Sequence, residues 1–106
     1  MNEKLARRLV RERAEGRCEV CWIAPGTDTH HRRNRSQGGK WEPENLMLLC
    51  HSHHMWITVN PKRAREQGWT VPSYADPATT PVWVAGRELV FLTPDGNYEN
   101  PDGEVA

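Results

Sequence analysis

The sequence predicts a small α+β domain, stapled by metal and organised around the stretch from Cys18 to His54. Three observations carry this. All three cysteines and all five histidines fall inside that stretch. Apolar residues make up only 37% of the 106-residue chain, and a core that lean usually needs a staple. Helical spacing near both ends of the stretch brackets short apolar runs of strand length within it.

An odd number of cysteines, with no apolar leader ahead of them, fits a metal staple in a reducing, cytoplasmic compartment better than disulfides. No run of residues approaches the length of a membrane span. The zero net charge hides a split. Residues 1–68 carry 13 Lys/Arg against 8 Asp/Glu, and residues 69–106 carry one Arg against 6 Asp/Glu. A basic first part suits a polyanion such as nucleic acid. We therefore divide the chain into residues 1–68, with a core at 18–59, and residues 69–106, a connector, a β-hairpin and an acidic tail.

Asn2 is a good N-cap and Glu3 suits a first turn. Leu5, Leu9 and Val10 then recur near helical spacing, so a helix is expected from Glu3 to Ala14, ended by Gly16. Arg7, Arg8, Arg11 and Arg13 form its other face, read as solvated or, beside a nucleic-acid site, as phosphate contacts.

Cys18-Glu-Val-Cys21 is a C-x2-C knuckle, whose tight turn aims two sulfurs at one ion. Trp22 and Ile23 are expected to cover it. Thr27 to Arg32 reads as a strand ending in His30-His31. Neighbouring strand residues face opposite ways, so the two histidines should hold different jobs, one a ligand and one a base. Arg32 to Lys40 is a basic loop in which Gly38-Gly39 supplies positive φ or close backbone approach. Arg32, Arg33, Arg35 and Lys40 are its candidate DNA phosphate contacts, and Trp41 its anchor.

Asn45 to Leu49 is short enough for a buried strand. Cys50-x2-His53 then repeats the knuckle, giving Cys18, Cys21, Cys50 and His53 as a structural zinc set. A rival set takes His54 and leaves His53 free; His51 is read as a spectator. A helix follows from Ser52, with Met55, Trp56 and Val59 as core contacts, then a shorter one from Pro61 to Gln67, stopped by Gly68. Val82–Val84 and Glu88–Leu92 read as a β-hairpin. Residues 97–106 read as a frayed tail.

The order of these parts resembles the HNH endonuclease family: C-x2-C, His-His at a strand end, a Gly-Gly loop, Asn-Leu, and Cys-x2-His-His opening a helix. The likeness covers Cys18 to Trp56, and the whole chain looks similar to the small stand-alone HNH proteins of bacteriophages and prophages. It implies a ββα-metal core and a metal-dependent endonuclease that hydrolyses DNA, nicking one strand or cutting both. By the same resemblance His31 is the general base, His30 and His54 bind the catalytic ion, and Asn45 fixes the loop that orients the base. That ion would be Mg, Mn, Ni or Zn. One departure is that the fourth zinc ligand, usually Cys, is His53. Two other readings compete: a zinc-braced nucleic-acid-binding module without catalysis, and a redox dithiol at Cys18 and Cys21. Whether the protein is a monomer or dimer, and whether its acidic part masks the basic face or docks a phage packaging protein, stay open at this level.

Overall fold

A computed structural model of the chain describes residues 1–101. Helix α1 (Glu3–Arg13) begins where Asn2 Oδ1 accepts the Leu5 N–H at 2.8 Å. It ends at Glu15 and Gly16, both at positive φ. Strands β1 (Asp28–His31) and β2 (Leu46–Leu49) form an antiparallel hairpin, pairing His30 with Met47 and His31 with Leu46. Helices α2 (His51–Val59) and α3 (Pro61–Glu66) follow at once. A second sheet, order β3-β4-β5, is built from Val82–Val84, Glu88–Leu92 and Tyr98–Glu99.

All four β2 residues are buried, because the strand is covered on both faces. Leu46 and Leu48 pack with Ala6, Val10 and Ala14 of the first helical segment. Met47 and Leu49 face a larger cluster that includes Ile57, Trp69, Val82, Val84, Val90 and Leu92. The core thus joins residues from both sides of position 68. Trp69 is its hinge: its ring stands edge-on to Trp56 and Trp83, and its Nε1–H donates to the Trp83 carbonyl at 2.8 Å.

Two arginines hold these layers together from inside. Arg13 and Glu19 form a fork-to-fork pair at 2.9 and 2.8 Å, with both side chains out of water. Arg13 also donates to the Pro43 and Leu46 carbonyls, while Glu19 accepts from the Leu48 N–H and the Tyr98 hydroxyl. Burial works against the Arg13 charge, but the Glu19 carboxylate outweighs it and the pKa is raised. Arg32 has no such carboxylate. Its guanidinium donates to the carbonyls of Gly68, Glu44, Pro77 and Thr80 at 2.8 to 3.0 Å. Burial lowers its pKa to about 10, still high enough to keep the charge at neutral pH.

These two residues correct the sequence reading. Arg13 belongs to the core and not to the exposed face of its helix. Arg32, expected on phosphate, is 1% exposed and its donors are consumed by backbone carbonyls. Ile23 is 87% exposed and does not cover the knuckle. Met55 and Val59 are exposed as well; Ile57 and Trp56 make the core contacts of α2. Tyr98 and Glu99, expected in a frayed tail, instead pair with β4. Residues 102–106 of that tail lie outside the described residues.

Replacing Arg13 by Met should leave the Glu19 carboxylate buried without its counter-charge and cost on the order of 3–5 kcal/mol in urea unfolding. A loss below about 1 kcal/mol, the range of an exposed pair, would contradict this account of the core.

Candidate metal centre and catalytic site

The two knuckles meet across the β1–β2 hairpin. The first is closed by backbone bonds from Trp22 N–H to the Cys18 carbonyl at 2.7 Å and from Cys18 N–H to the Ala24 carbonyl at 2.9 Å. The second is the first turn of α2, where Cys50 and His53 lie three residues apart. The ligand atoms of Cys18, Cys21, Cys50 and His53 all lie within 4.8 Å of one another. His53 Nδ1 is 3.1 Å from the Cys50 sulfur and 3.9 Å from that of Cys18. A tetrahedral site with metal–sulfur bonds of about 2.3 Å has edges of about 3.8 Å, so the four residues can close on one ion. His53, rather than His54, completes the set.

The donor chemistry agrees. Burial pushes the Cys18 thiol up to about 11, against backbone N–H groups of Cys50, Cys21 and Val20 that pull it down. Cys21 is lowered: burial opposes this, but the N–H groups of Ala24 and Ile23 outweigh it. Both thiols must be deprotonated to bind, so ion uptake releases protons and couples to folding.

A second group lies beside this one. His30 is buried and its Nε2 is 2.7 Å from the Trp69 carbonyl. A carbonyl can only accept, so Nε2 carries the proton and the Nδ1 lone pair is free. His54 Nδ1 is 2.8 Å from Asp28 Oδ2, so it donates and leaves its Nε2 lone pair free. The two rings stand edge-on with centroids 5.3 Å apart. Asp28 also accepts from His51 Nδ1 at 3.1 Å. The His54 and His51 rings hold the Asp28 carboxyl at about 2, and burial lowers His30 to about 4. At neutral pH the site therefore presents neutral imidazole at His30 beside a carboxylate, the forms a divalent ion requires.

Asp28 went unrecognised in the sequence, though a signal existed. It stands two residues before His30, on the same face of one strand. A carboxylate that grips the far nitrogen of a ligand imidazole fixes its tautomer and orientation. His51, read as a spectator, touches the same oxygen from the surface, with its side chain 75% exposed.

His31 is not part of this group. Its ring packs edge-on against Trp41 at 4.4 Å, on the other face of β1. Its Nε2 is buried without a hydrogen-bond partner. Burial, then the nearby Arg35 and Arg7 charges, lower its pKa. Trp41 is held between guanidinium groups, Arg7 at 4.6 Å and Arg35 at 5.6 Å from its ring centroid.

Asn45 fixes the loop that follows His31. Its Oδ1 accepts the Arg33 N–H at 2.7 Å, and its Nδ2 donates to the carbonyls of Arg33 and Lys40 at 3.2 and 3.1 Å. The glycines divide the two expected duties. Gly38 takes φ +88, while a Cβ on Gly39 would sit 1.7 Å from the Arg33 carbonyl oxygen. Of the four loop cations, Arg35 and Lys40 stay exposed. Arg33 is partly spent on the carbonyls of Gly38 and Ala75, at 3.1 and 3.3 Å.

No helix among the described residues is long and apolar enough to cross a membrane. No curated protein and no solved structure matches the chain. Residues 18–55 match the sequence model of a family described as HNH endonuclease. That span begins at the first knuckle, contains the β1–β2 hairpin and its loop, and ends within α2, one residue past His54. This segment is thus similar to the HNH endonuclease family, and it sits in a mixed helix-and-sheet fold with a Cys3His group able to bind a metal ion.

Proposed function

We propose that this protein is a DNA endonuclease that hydrolyses phosphodiester bonds with a divalent ion at His30 and His54 and a zinc ion at the Cys3His group. The observation that carries the reading is the pair of free imidazole lone pairs at His30 and His54. They sit apart from the zinc ligands, within the family-matched segment.

A bound divalent cation would neutralise the diester and stabilise charge on the leaving oxygen. The remaining duties belong to the chain. His30 and His54 are the ligands, and Asp28 holds His54 through Nδ1, leaving Nε2 for the ion. His31 is the general base, its neutral form favoured by burial. Asn45 holds the loop that sets the direction of the His31 backbone. Arg35 and Lys40 meet the phosphates from that loop, now without Arg32. The products expected from the family mechanism are 5′-phosphate and 3′-hydroxyl ends.

A non-catalytic nucleic-acid-binding module is the second reading. It is favoured by His31 packing against Trp41 and not beside His30 and His54. Supercoiled plasmid, incubated with protein and Mn or Mg, separates the two. Wild type should nick or linearise it, and EDTA should stop the reaction. His31→Ala should lose on the order of 100–10,000-fold in rate while keeping its zinc and its melting temperature. Cutting by His31→Ala at the wild-type rate would remove His31 from the base role, and no cutting by wild type would leave the binding module.

Zinc should be present at one equivalent in the purified protein. Cys50→Ser should lose it and unfold, since such sites contribute on the order of 10 kcal/mol or more to folding. A folded, metal-free Cys50→Ser protein would contradict the structural role of this ion.

A further inference from the structure

The exposed side of α1 remains unexplained by the fold. Its buried side is complete: Ala6 and Val10 are in the core and Arg13 is paired with Glu19. Lys4, Arg7, Arg8 and Arg11 point the other way. They line a groove of about 590 Å³ together with Thr29, and no carboxylate lines it. Glu3 and Glu12 stay outside the groove, where they pair with Arg7 at 2.9 Å and Arg8 at 3.9 Å. Both pairs are exposed and worth little. Lys4 and Arg11 have no ion pair among the described residues.

The groove is joined to the candidate site. Thr29 lies on β1 two residues before His31, so the two side chains share a face. Arg7 Nη1 donates to Thr29 Oγ1 at 3.0 Å, and its guanidinium lies 4.6 Å from the centre of Trp41. Trp41 in turn touches His31. A continuous positive surface thus runs from α1 to the end of β1. Lys4, Arg8 and Arg11 span about 10 Å along the helix axis. One strand of duplex DNA carries about three phosphates over that axial length.

We propose that this face of α1 is the track for the sugar-phosphate backbone of duplex DNA flanking the bond to be cut. Lys4, Arg8 and Arg11 contact phosphates there, and Arg7 continues the contact toward His31. The proposal rests on the nuclease reading for its substrate, but its own content is where the duplex lies. It also explains how the domain binds nucleic acid when Arg32 is internal and Arg33 is half-spent. The recognition is by charge, without reading of bases, because these side chains meet only phosphates.

The test uses the full chain with its structural metal and no added divalent ion, so that binding is read whether or not the protein cuts. Affinity for a fluorescent duplex is measured by anisotropy from about 50 to 200 mM salt. The triple variant Lys4→Gln, Arg8→Gln, Arg11→Gln should lower the slope of log affinity against log salt by about 0.9 per lost phosphate contact, up to about 2.7. A matched variant, Lys62→Gln, Arg63→Gln, Arg65→Gln on α3, removes the same charge from another face and should keep most of the slope. Melting temperatures show that both remain folded. Equal losses in the two variants would mean that net charge alone matters and would overturn the proposal. So would an unchanged slope in the α1 variant, or equal binding of wild type to polyglutamate of the same length. Plasmid cutting by wild type is scored separately, so a misplaced track and a protein that is not a nuclease give different results.

Discussion

Glu19 occupies the two-residue gap of the first knuckle, between Cys18 and Cys21, and the rest of the structure depends on its buried pairing with Arg13. One carboxylate takes two N–H groups from the first helix, one from β2 and a hydroxyl from β5. Its own backbone bonds to Leu48 and Ala85 on either side. A charge buried this deeply is unfavourable unless every lone pair is used. The geometry is therefore close to all-or-none. If the knuckle is misplaced, the carboxylate loses its partners; if α1 or β5 detaches, the cation or the hydroxyl is stranded. Placement of the first knuckle and packing of the two sheets are consequently coupled.

That arrangement lets a small chain bring two histidines together. The clamp of Cys18, Cys21, Cys50 and His53 fixes the first turn of α2, and His54 is the next residue. His54 thereby arrives beside His30 with no further structural expense. Asp28 and the Trp69 carbonyl then decide which nitrogen of each ring is free. Arg32 plays the corresponding part for the C-terminal residues, drawing four carbonyls from Glu44 to Thr80 onto one guanidinium, a geometry lysine cannot reproduce. The acidic second part of the chain is built into the core through Trp69, Val82, Val84, Val90 and Leu92.

What the sequence revealed follows from the range of the physics. The knuckles, the N-cap at Asn2, the buried run of β2 and the hairpin over Val82–Leu92 are local patterns, and each has a spacing that chemistry restricts. The Gly38-Gly39 loop was legible because its duties are served within a few residues, whereas the duty of Asn45 was implied by the family resemblance. Arg13 and Arg32 were not legible. A buried arginine looks like an exposed one until its acceptors are known, and these acceptors lie up to 48 residues away. Asp28 shows the same limit from the other side, because its partners arrive on α2, 23 and 26 residues later. Tyr98 sits among acidic and turn-forming residues and looked like tail. Pairing with β4 and the Glu19 carboxylate, 79 residues upstream, give it a place.

The central claim is that two neighbouring ion sites have separate duties. Anomalous diffraction from crystals of the purified protein soaked in manganese tests it most directly. Data at the zinc edge should show one peak enclosed by Cys18, Cys21, Cys50 and His53. Data at the manganese edge should show a second peak touching His30 and His54, with Asp28 behind His54 and not on the ion. Manganese found only on surface carboxylates, with nothing between His30 and His54, would contradict the account and leave the Cys3His clamp as the protein's single metal site.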